Sequence, residues 1–236
     1  MKQLVKILLI LVVAIGLGFF FGVYNTPQAV EVYNASGQLI SSTSAQTIGS
    51  VFVPGLKIES IPWYVSRSSA IAAYLLLFSI IAWGLGMAIG FTYRFVDPAR
   101  AWQVHQDMSM SFGVLVFVHA FSLLFDKFMN FDIFDILIPF YSNYKTWFLS
   151  LGIVGFYLLL LIIISSVFLR LSSPRFWRFS HYLVYPLFLF ATIHGLQLGT
   201  DSSTMIMQTV YKFAGAVIVI LFVYRFTITL YQNRIK

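Results

Sequence analysis

The stretch "HQDMSMSFGVLVFVHA" (105–120) places a histidine near each end of a segment that is otherwise mostly apolar or small. A second stretch, "HYLVYPLFLFATIHG" (181–195), repeats the arrangement, and the two together hold all four histidines of the chain. The paired histidines are 14 and 13 residues apart, which is ~20 Å along a helix axis. Ionisable side chains are costly inside a membrane and usually have a function there. The structural role of these two histidine-containing segments therefore decides the predicted fold and function.

The composition is that of an integral membrane protein. Hydrophobic residues make up 59% of 236 positions and charged residues only 10%, against about 25% charged residues in soluble domains. Several apolar runs reach ~20 residues, enough to cross a hydrocarbon core of ~30 Å. The absence of cysteine excludes disulfides, iron–sulfur clusters and thiolate metal sites. The net charge of +7 comes from Lys and Arg at the ends of apolar runs, which indicates membrane topology and not nucleic-acid binding.

The apolar runs predict an all-α integral membrane protein with a bundle of six transmembrane helices. Residues 1–23 are expected to form an N-terminal anchor, because no convincing signal-peptide cleavage site follows them. Residues 24–67 are predicted to form an extracytoplasmic segment with a hairpin around Asn34–Gly37. Residues 68–230 would form the transmembrane domain that contains both histidine segments, and 231–236 a cytoplasmic tail. Its spans are predicted at 68–92, 99–125, 147–169, 175–198 and 206–229.

The distribution of basic residues orients this bundle. Ten Lys and Arg residues fall on the side of the N-terminus and five on the opposite side, and the positive-inside rule then places both termini in the cytoplasm. We expect a multi-pass protein of the cytoplasmic membrane, with spans three and five both running outward. His105 and His181 would lie near the cytoplasm, and His119 and His194 near the exterior.

The starts of spans three and five predict that their histidines lie at matching depths. "DPARAWQVH" (97–105) and "SPRFWRFSH" (173–181) each begin with an N-cap residue and a proline, and each reaches its histidine seven residues after the proline. Two imidazoles at one depth, repeated ~20 Å further along, predict two haem b groups held between spans three and five. His105 and His181 would bind one iron, and His119 and His194 the other. Structural histidines bonded to backbone carbonyls, the alternative, would not produce two matched levels.

One detail opposes this arrangement. A separation of 14 residues leaves two side chains about 40° short of four full turns, whereas 13 residues leave them about 140° short. His181 and His194 would therefore point in different directions on an ideal helix. Pro186 lies between them, and a proline kink or a tightened turn could restore the phase, although the sequence does not show that it does.

In these motifs the chain resembles the ferric reductase-like transmembrane family, which includes the haem-carrying membrane domains of ferric reductases and NADPH oxidases. The resemblance covers about residues 62–204 and fits the bacterial stand-alone type. It rests on the paired histidines and on four further stretches, which are "WYVSRSSAIAAYLLL" (63–77), "PFYSNYKTWFLSLGIVGFYLLLLIIISS" (139–166), "FWRFSHYLVYPLF" (176–188) and "HGLQLGTDS" (194–202).

The resemblance implies a di-haem electron conduit across the membrane. Electrons would enter at the His105/His181 level from a cytoplasmic flavoprotein or a membrane quinol. They would leave from the His119/His194 level to an extracytoplasmic acceptor, which could be ferric ion, oxygen or a partner protein. The sequence shows no Gly-rich dinucleotide fingerprint, so FAD or quinone would come with the partner, and the chain would be an oxidoreductase component.

The resemblance also implies a cofactor-binding role for Arg67, which matches an arginine at the start of span two in related oxidases, near the outer haem. The plainer interpretation is an interfacial arginine whose head group reaches water. Animal oxidases carry a further histidine one turn beyond the outer ligand of span three; Leu123 occupies that position here, which argues against dedicated superoxide production.

Further residues are candidates for roles around the two histidine levels. Arg94, Arg100, Arg175 and Arg178 could pair with inner haem propionates, or serve topology alone. Phe112 and Phe188 could line the electron path, or be simple core. The loop 126–140 is expected to form a short amphipathic piece with Asp132 and Asp135 on its wet side.

Three other functions stay open. The first is a quinol-oxidising cytochrome b subunit of a respiratory complex, although no quinone-site motif of that class is present. The second is the haem-binding membrane subunit of a periplasmic methionine-sulfoxide reductase system, which would not need both complete histidine pairs. The third is a membrane scaffold whose histidines are structural.

Overall fold

The computed structural model describes residues 32–33, 39–41, 61–127 and 129–235. Two short strands, β1 (Val32–Tyr33) and β2 (Leu39–Ser41), pair antiparallel on either side of Asn34–Gly37. The strand pairing expected of a hairpin at this place is therefore confirmed. The predicted anchor at 1–23 and most of the segment 24–67 lie outside the described residues.

The rest of the described chain is helical. Its α-helices are α1 (Ile61–Ala88), α2 (Pro98–Ser122), α3 (Ile133–Leu137), α4 (Thr146–Ile164), α5 (Pro174–Tyr182), α6 (Val184–Leu198) and α7 (Met205–Ile235). Short 3₁₀ turns at Thr92–Arg94 and Leu123–Phe125 and a π-helical turn at Ser165–Leu169 follow α1, α2 and α4.

Five segments in this part of the chain are long and apolar enough to cross a membrane. They are Ile61–Ala88, Pro98–Phe125, Thr146–Leu169, Pro174–Leu198 and Met205–Gln232. The all-α membrane class is therefore confirmed, and these segments correspond to predicted spans two to six.

Two helix ends differ from the predicted spans. The helix α1 begins at Ile61 and not at 68, so residues 61–67 continue the second span toward the N-terminus. The helix accommodates its polar Ser68 and Ser69 because both hydroxyls donate hydrogen bonds to the carbonyl of Val65, one turn earlier. At the other end, α7 continues to Ile235, so residues 231–235 of the predicted tail extend the last helix. No Gly or Pro follows Gly215 to end that helix.

The helix α1 is the centre of the bundle. Half of its membrane-crossing window is buried, against 11–28% in the other four spans. It packs against α2 and α7, while α4 packs against α6. By contrast, α2 and the α5–α6 segment, both fully described, form no extended backbone interface, so these two elements meet mainly through side chains.

The fifth span is interrupted at Leu183, between α5 and α6. The Leu183 N–H donates to the carbonyl of Ser180 at 3.1 Å, which is the shorter i→i+3 bond of a tightened turn. The interruption lies next to Tyr182, four residues before Pro186. A proline has no N–H for the carbonyl four residues earlier, and its ring collides with that carbonyl. The tightened turn expected from Pro186 is thus confirmed.

Candidate functional site

The starts of α2 and α5 set the depth of the first histidine in each span. The Asp97 carboxylate caps α2 by accepting a hydrogen bond from the Arg100 backbone N–H at 3.0 Å, and Pro98 is the first helical residue. Ser173 precedes Pro174 at the start of α5, but its side chain makes no capping hydrogen bond. The predicted side-chain cap is therefore present at Asp97 and missing at Ser173. Both helices nevertheless begin at the predicted proline.

The four histidines form two pairs across the space between α2 and the α5–α6 segment. The rings of His105 and His181 have centroids 6.1 Å apart and planes at 53°. The rings of His119 and His194 have centroids 6.4 Å apart and planes at 84°. We call His105/His181 the proximal pair, because it lies near Pro98 and Pro174, and His119/His194 the distal pair. The structure brings the histidines together in the predicted combination; their role as ligands stays a prediction.

These separations suit two imidazoles that share one metal ion. With metal–nitrogen bonds of about 2 Å on opposite sides of the ion, the two ring centroids come to lie about 6 Å apart. Among the described residues, no group of three or more His, Cys, Asp or Glu side chains converges. Each level thus offers two protein ligands, and haem needs no more than two axial ones. The donor set fits haem b.

The distal pair is anchored to helix backbone. His119 Nδ1 lies 2.9 Å from the Ser66 carbonyl oxygen, and His194 Nδ1 lies 2.9 Å from the Phe148 carbonyl oxygen. The proximal pair differs, because the Nδ1 atoms of His105 and His181 are buried without a hydrogen-bond partner in the described part of the chain.

Two glycines make room for the imidazoles. A Cβ added at Gly152 in α4 would lie 2.5 Å from both Cε1 and Nδ1 of His194, which no real side chain tolerates. A Cβ added at Gly84 in α1 would lie 3.2 Å from Cε1 of His105, a much milder conflict. Each level therefore has one histidine ring that lies against a glycine of a neighbouring helix.

The environment of Arg67 differs from the plainer sequence interpretation, that of an interfacial arginine. The side chain lies within α1 and is buried at 8% exposure, so its head group does not reach water. It donates from Nε and Nη2 to the two carboxylate oxygens of Asp201, which is also buried. The guanidinium also lies 4.8 Å from the ring centroid of Trp63. Arg67 therefore joins α1 to the chain segment after α6, and its cofactor-binding role stays a prediction.

The four arginines considered for the propionates are all exposed, and Arg100 forms an exposed ion pair with Asp97. Arg170, which the sequence interpretation passed over, stacks instead on Trp102 at 4.3 Å, and Trp102 lies beside His105. Between the two levels, Phe112 and Phe188 are buried as expected of core residues. Phe188 stacks on Tyr74 of α1, a contact that nothing in the sequence pattern indicated.

The loop 126–140 contains a short helix, α3, as the sequence predicted. Asp132 caps it, and Asp135 completes a capping box. The hydroxyl of Tyr157 donates to the carbonyl of Leu137 at 2.8 Å. Tyr157 lies within α4, so this hydrogen bond fastens the end of α3 to the side of that span.

Sequence reasoning located the four histidines but missed the residues that support them. The residue types of Ser66, Phe148 and Gly152 do not by themselves indicate a binding site, whereas a histidine in a membrane span does. Only the spacing of Gly152 four residues after Phe148, which leaves a helix carbonyl uncovered, could have pointed to a ring-binding site. No family model, curated protein or solved structure matches the chain.

Proposed function

We propose that the protein binds two haem b groups and conducts electrons across a membrane. The observation that carries the proposal is the presence of two histidine pairs at two levels, with ring centroids 6.1 and 6.4 Å apart. Core histidines would each need only a hydrogen-bond acceptor. They would not have to meet a second imidazole across a space between two spans.

The residues of the chain would hold and orient the cofactor. His105 and His181 would hold one haem iron at the proximal level, and His119 and His194 would hold the other at the distal level. Haem b with two imidazole ligands supplies reversible one-electron chemistry and offers no open position for a substrate.

The charge distribution supports a direction for the transfer. Under the positive-inside rule the proximal pair faces the cytoplasm, beside the basic loops 93–101 and 170–178. An acidic flavoprotein could dock there, because complementary charge speeds encounter; a quinol in the inner leaflet is the other donor. The distal pair would deliver electrons to an acceptor outside, such as ferric ion, oxygen or a partner protein. The cytoplasmic membrane is the proposed location.

The test is the haem content of the purified protein by pyridine haemochrome, against protein quantity. We expect two haem b per chain. His105→Ala and His181→Ala should each remove the same haem, and His119→Ala and His194→Ala the other. Met110→Ala, an exposed position on α2 between the two levels, is the matched control and should keep both. Wild-type protein without haem would refute the proposal, and loss of different haems within one pair would refute the pairing.

Transport can be tested separately in proteoliposomes of known orientation. A membrane-impermeant reductant on the cytoplasmic face should reduce ferricyanide trapped inside the vesicle lumen. His119→Ala should stop that transfer and leave the proximal haem reducible. Transfer that survives the loss of the distal haem would contradict a serial conduit.

A further inference from the structure

We infer that the two histidine levels are chemically different. The backbone of α1 and α4 locks both distal imidazoles into one tautomer and one orientation, with Ser66 and Gly152 as positioning residues, while the proximal imidazoles have no such lock. The inference rests on the proposed function where it concerns haem, and on the geometry alone where it concerns the tautomers.

The lock on His119 is the carbonyl of Ser66. A carbonyl oxygen can only accept a hydrogen bond, so at 2.9 Å the His119 Nδ1 must carry the proton. The Ser66 hydroxyl reinforces the contact, because its oxygen lies 3.0 Å from the same Nδ1. It also lies 3.4 Å from the His119 carbonyl oxygen. The neutral ring then presents an unprotonated Nε2, which is the form that binds a metal ion.

The lock on His194 is the carbonyl of Phe148, and it depends on a missing side chain. The bond is 2.9 Å long, and it again assigns the proton to Nδ1. Phe148 and Gly152 are one helical turn apart on α4, so the residue at 152 overhangs the approach to this carbonyl. A Cβ there would lie 2.5 Å from Nδ1 and 3.1 Å from Nε2 of His194. Only glycine lets the ring lie flat on the helix and reach the acceptor.

The proximal pair has neither feature. The Nδ1 atoms of His105 and His181 are buried and make no hydrogen bond among the described residues. Each ring lies instead beside a tryptophan, with centroids 6.1 Å apart for Trp102 and His105 and 5.5 Å for Trp177 and His181. Packing against indole restricts a ring without selecting a tautomer.

The difference matters for any metal bound at the two levels. A hydrogen bond from Nδ1–H to an acceptor makes the imidazole a more basic ligand and fixes its orientation. A more basic ligand favours the oxidised metal, so breaking the bond at His194 should raise the midpoint potential of the distal haem. The same substitution should leave the proximal haem unchanged.

The first test needs no haem, because the chain has only four histidines. In histidine-labelled protein in liposomes without haem, ¹⁵N NMR should show two neutral rings with the proton on Nδ1. His119→Ala and His194→Ala should each delete one of these two signals. Distal rings with the proton on Nε2 would overturn the inference, whatever the haem content.

The second test uses matched glycine substitutions on α4. Gly152→Ala should abolish the Nδ1–H signal of His194. In haem-loaded protein it should remove the distal haem, or shift its electron paramagnetic resonance and raise its potential, with the proximal haem retained as the internal check of folding. Gly155→Ala is the control, since its Cβ meets only Leu187 at 3.4 Å. Gly152→Ala behaving like Gly155→Ala, or disturbing both haems equally, would overturn the inference. Absence of haem from the wild type would count against the proposed function alone.

Discussion

The buried ion pair between Arg67 and Asp201 allows a sharp test of what holds the bundle together. Both side chains are about as enclosed as the apolar core, with 6% and 5% exposure. Asp201→Asn keeps the shape of the side chain but leaves the guanidinium charged and uncompensated. Removing one partner of a buried pair costs about 3–5 kcal/mol. At about 2–4 °C per kcal/mol for a chain of this size, the melting temperature should fall by roughly 6–20 °C.

The double variant separates the charge from the packing. Arg67→Met with Asp201→Leu replaces the pair by apolar side chains, a change that is often neutral or stabilising. We therefore expect the double variant to be more stable than Asp201→Asn. Arg100→Ala breaks an ion pair whose side chains are 81% and 52% exposed, and it should change the melting temperature only slightly. Thermal unfolding in detergent, followed by tryptophan fluorescence, measures all three.

Two results would refute this reasoning. If Asp201→Asn were no more destabilising than Arg100→Ala, the pair would not be buried as described. If the double variant were as unstable as the single one, packing and not charge would be the cause. The double variant also tests the cofactor role of Arg67. The ion pair is neutral overall, so removing both charges should leave the midpoint potential of the distal haem unchanged. If Arg67 acted directly on the haem by its positive charge, the double variant would have a lower midpoint potential.

Two further predictions concern the fifth span and the loop before α4. Pro186→Ala should let the Tyr182 carbonyl regain its helical partner and turn His181 and His194 out of phase, so the haem content should fall from two to one per chain. The control is Pro174→Ala, at the first helical position, which should keep both haems. An unchanged haem content for Pro186→Ala would contradict the role of the interruption. Phe134→Cys, labelled with a polarity-sensitive fluorophore in this cysteine-free chain, should be quenched by nitroxide lipids, because this exposed apolar position lies on a helix that Tyr157 fastens to the side of α4. The exposed Asn143→Cys should not be quenched, and absence of quenching at Phe134→Cys would place α3 outside the bilayer.

The depth of the histidines could be read from the sequence, because helix starts obey local rules. Pro98 and Pro174 fix where α2 and α5 begin, and a helix then carries a residue seven places further to a set height. The phase of His194 could not be read in this way. Pro186 predicted an irregularity, but the turn at Leu183 depends on which carbonyl the proline ring displaces and on how Ser180 accepts the shorter bond. The sequence therefore predicts that the fifth span is irregular near Pro186, but only the structure shows the direction in which this helix bends.

The central role of α1 was beyond local rules for a different reason. Its serines and Arg67 resemble a polar loop, and only their partners make them compatible with a buried helix. Ser69 is satisfied by carbonyls within α1, Ser66 by His119, and Arg67 by Asp201, which is 134 residues away in sequence. A polar side chain in a membrane helix needs such a partner, because an unpaired one is costly in a low-dielectric environment. The same partners place Ser66 beside the distal pair, while Gly84 of the same helix meets His105 of the proximal pair. One helix thus contacts both histidine levels without contributing a histidine to either. For this reason, substitutions in α1 should test how the histidines are positioned without removing any of the proposed ligands.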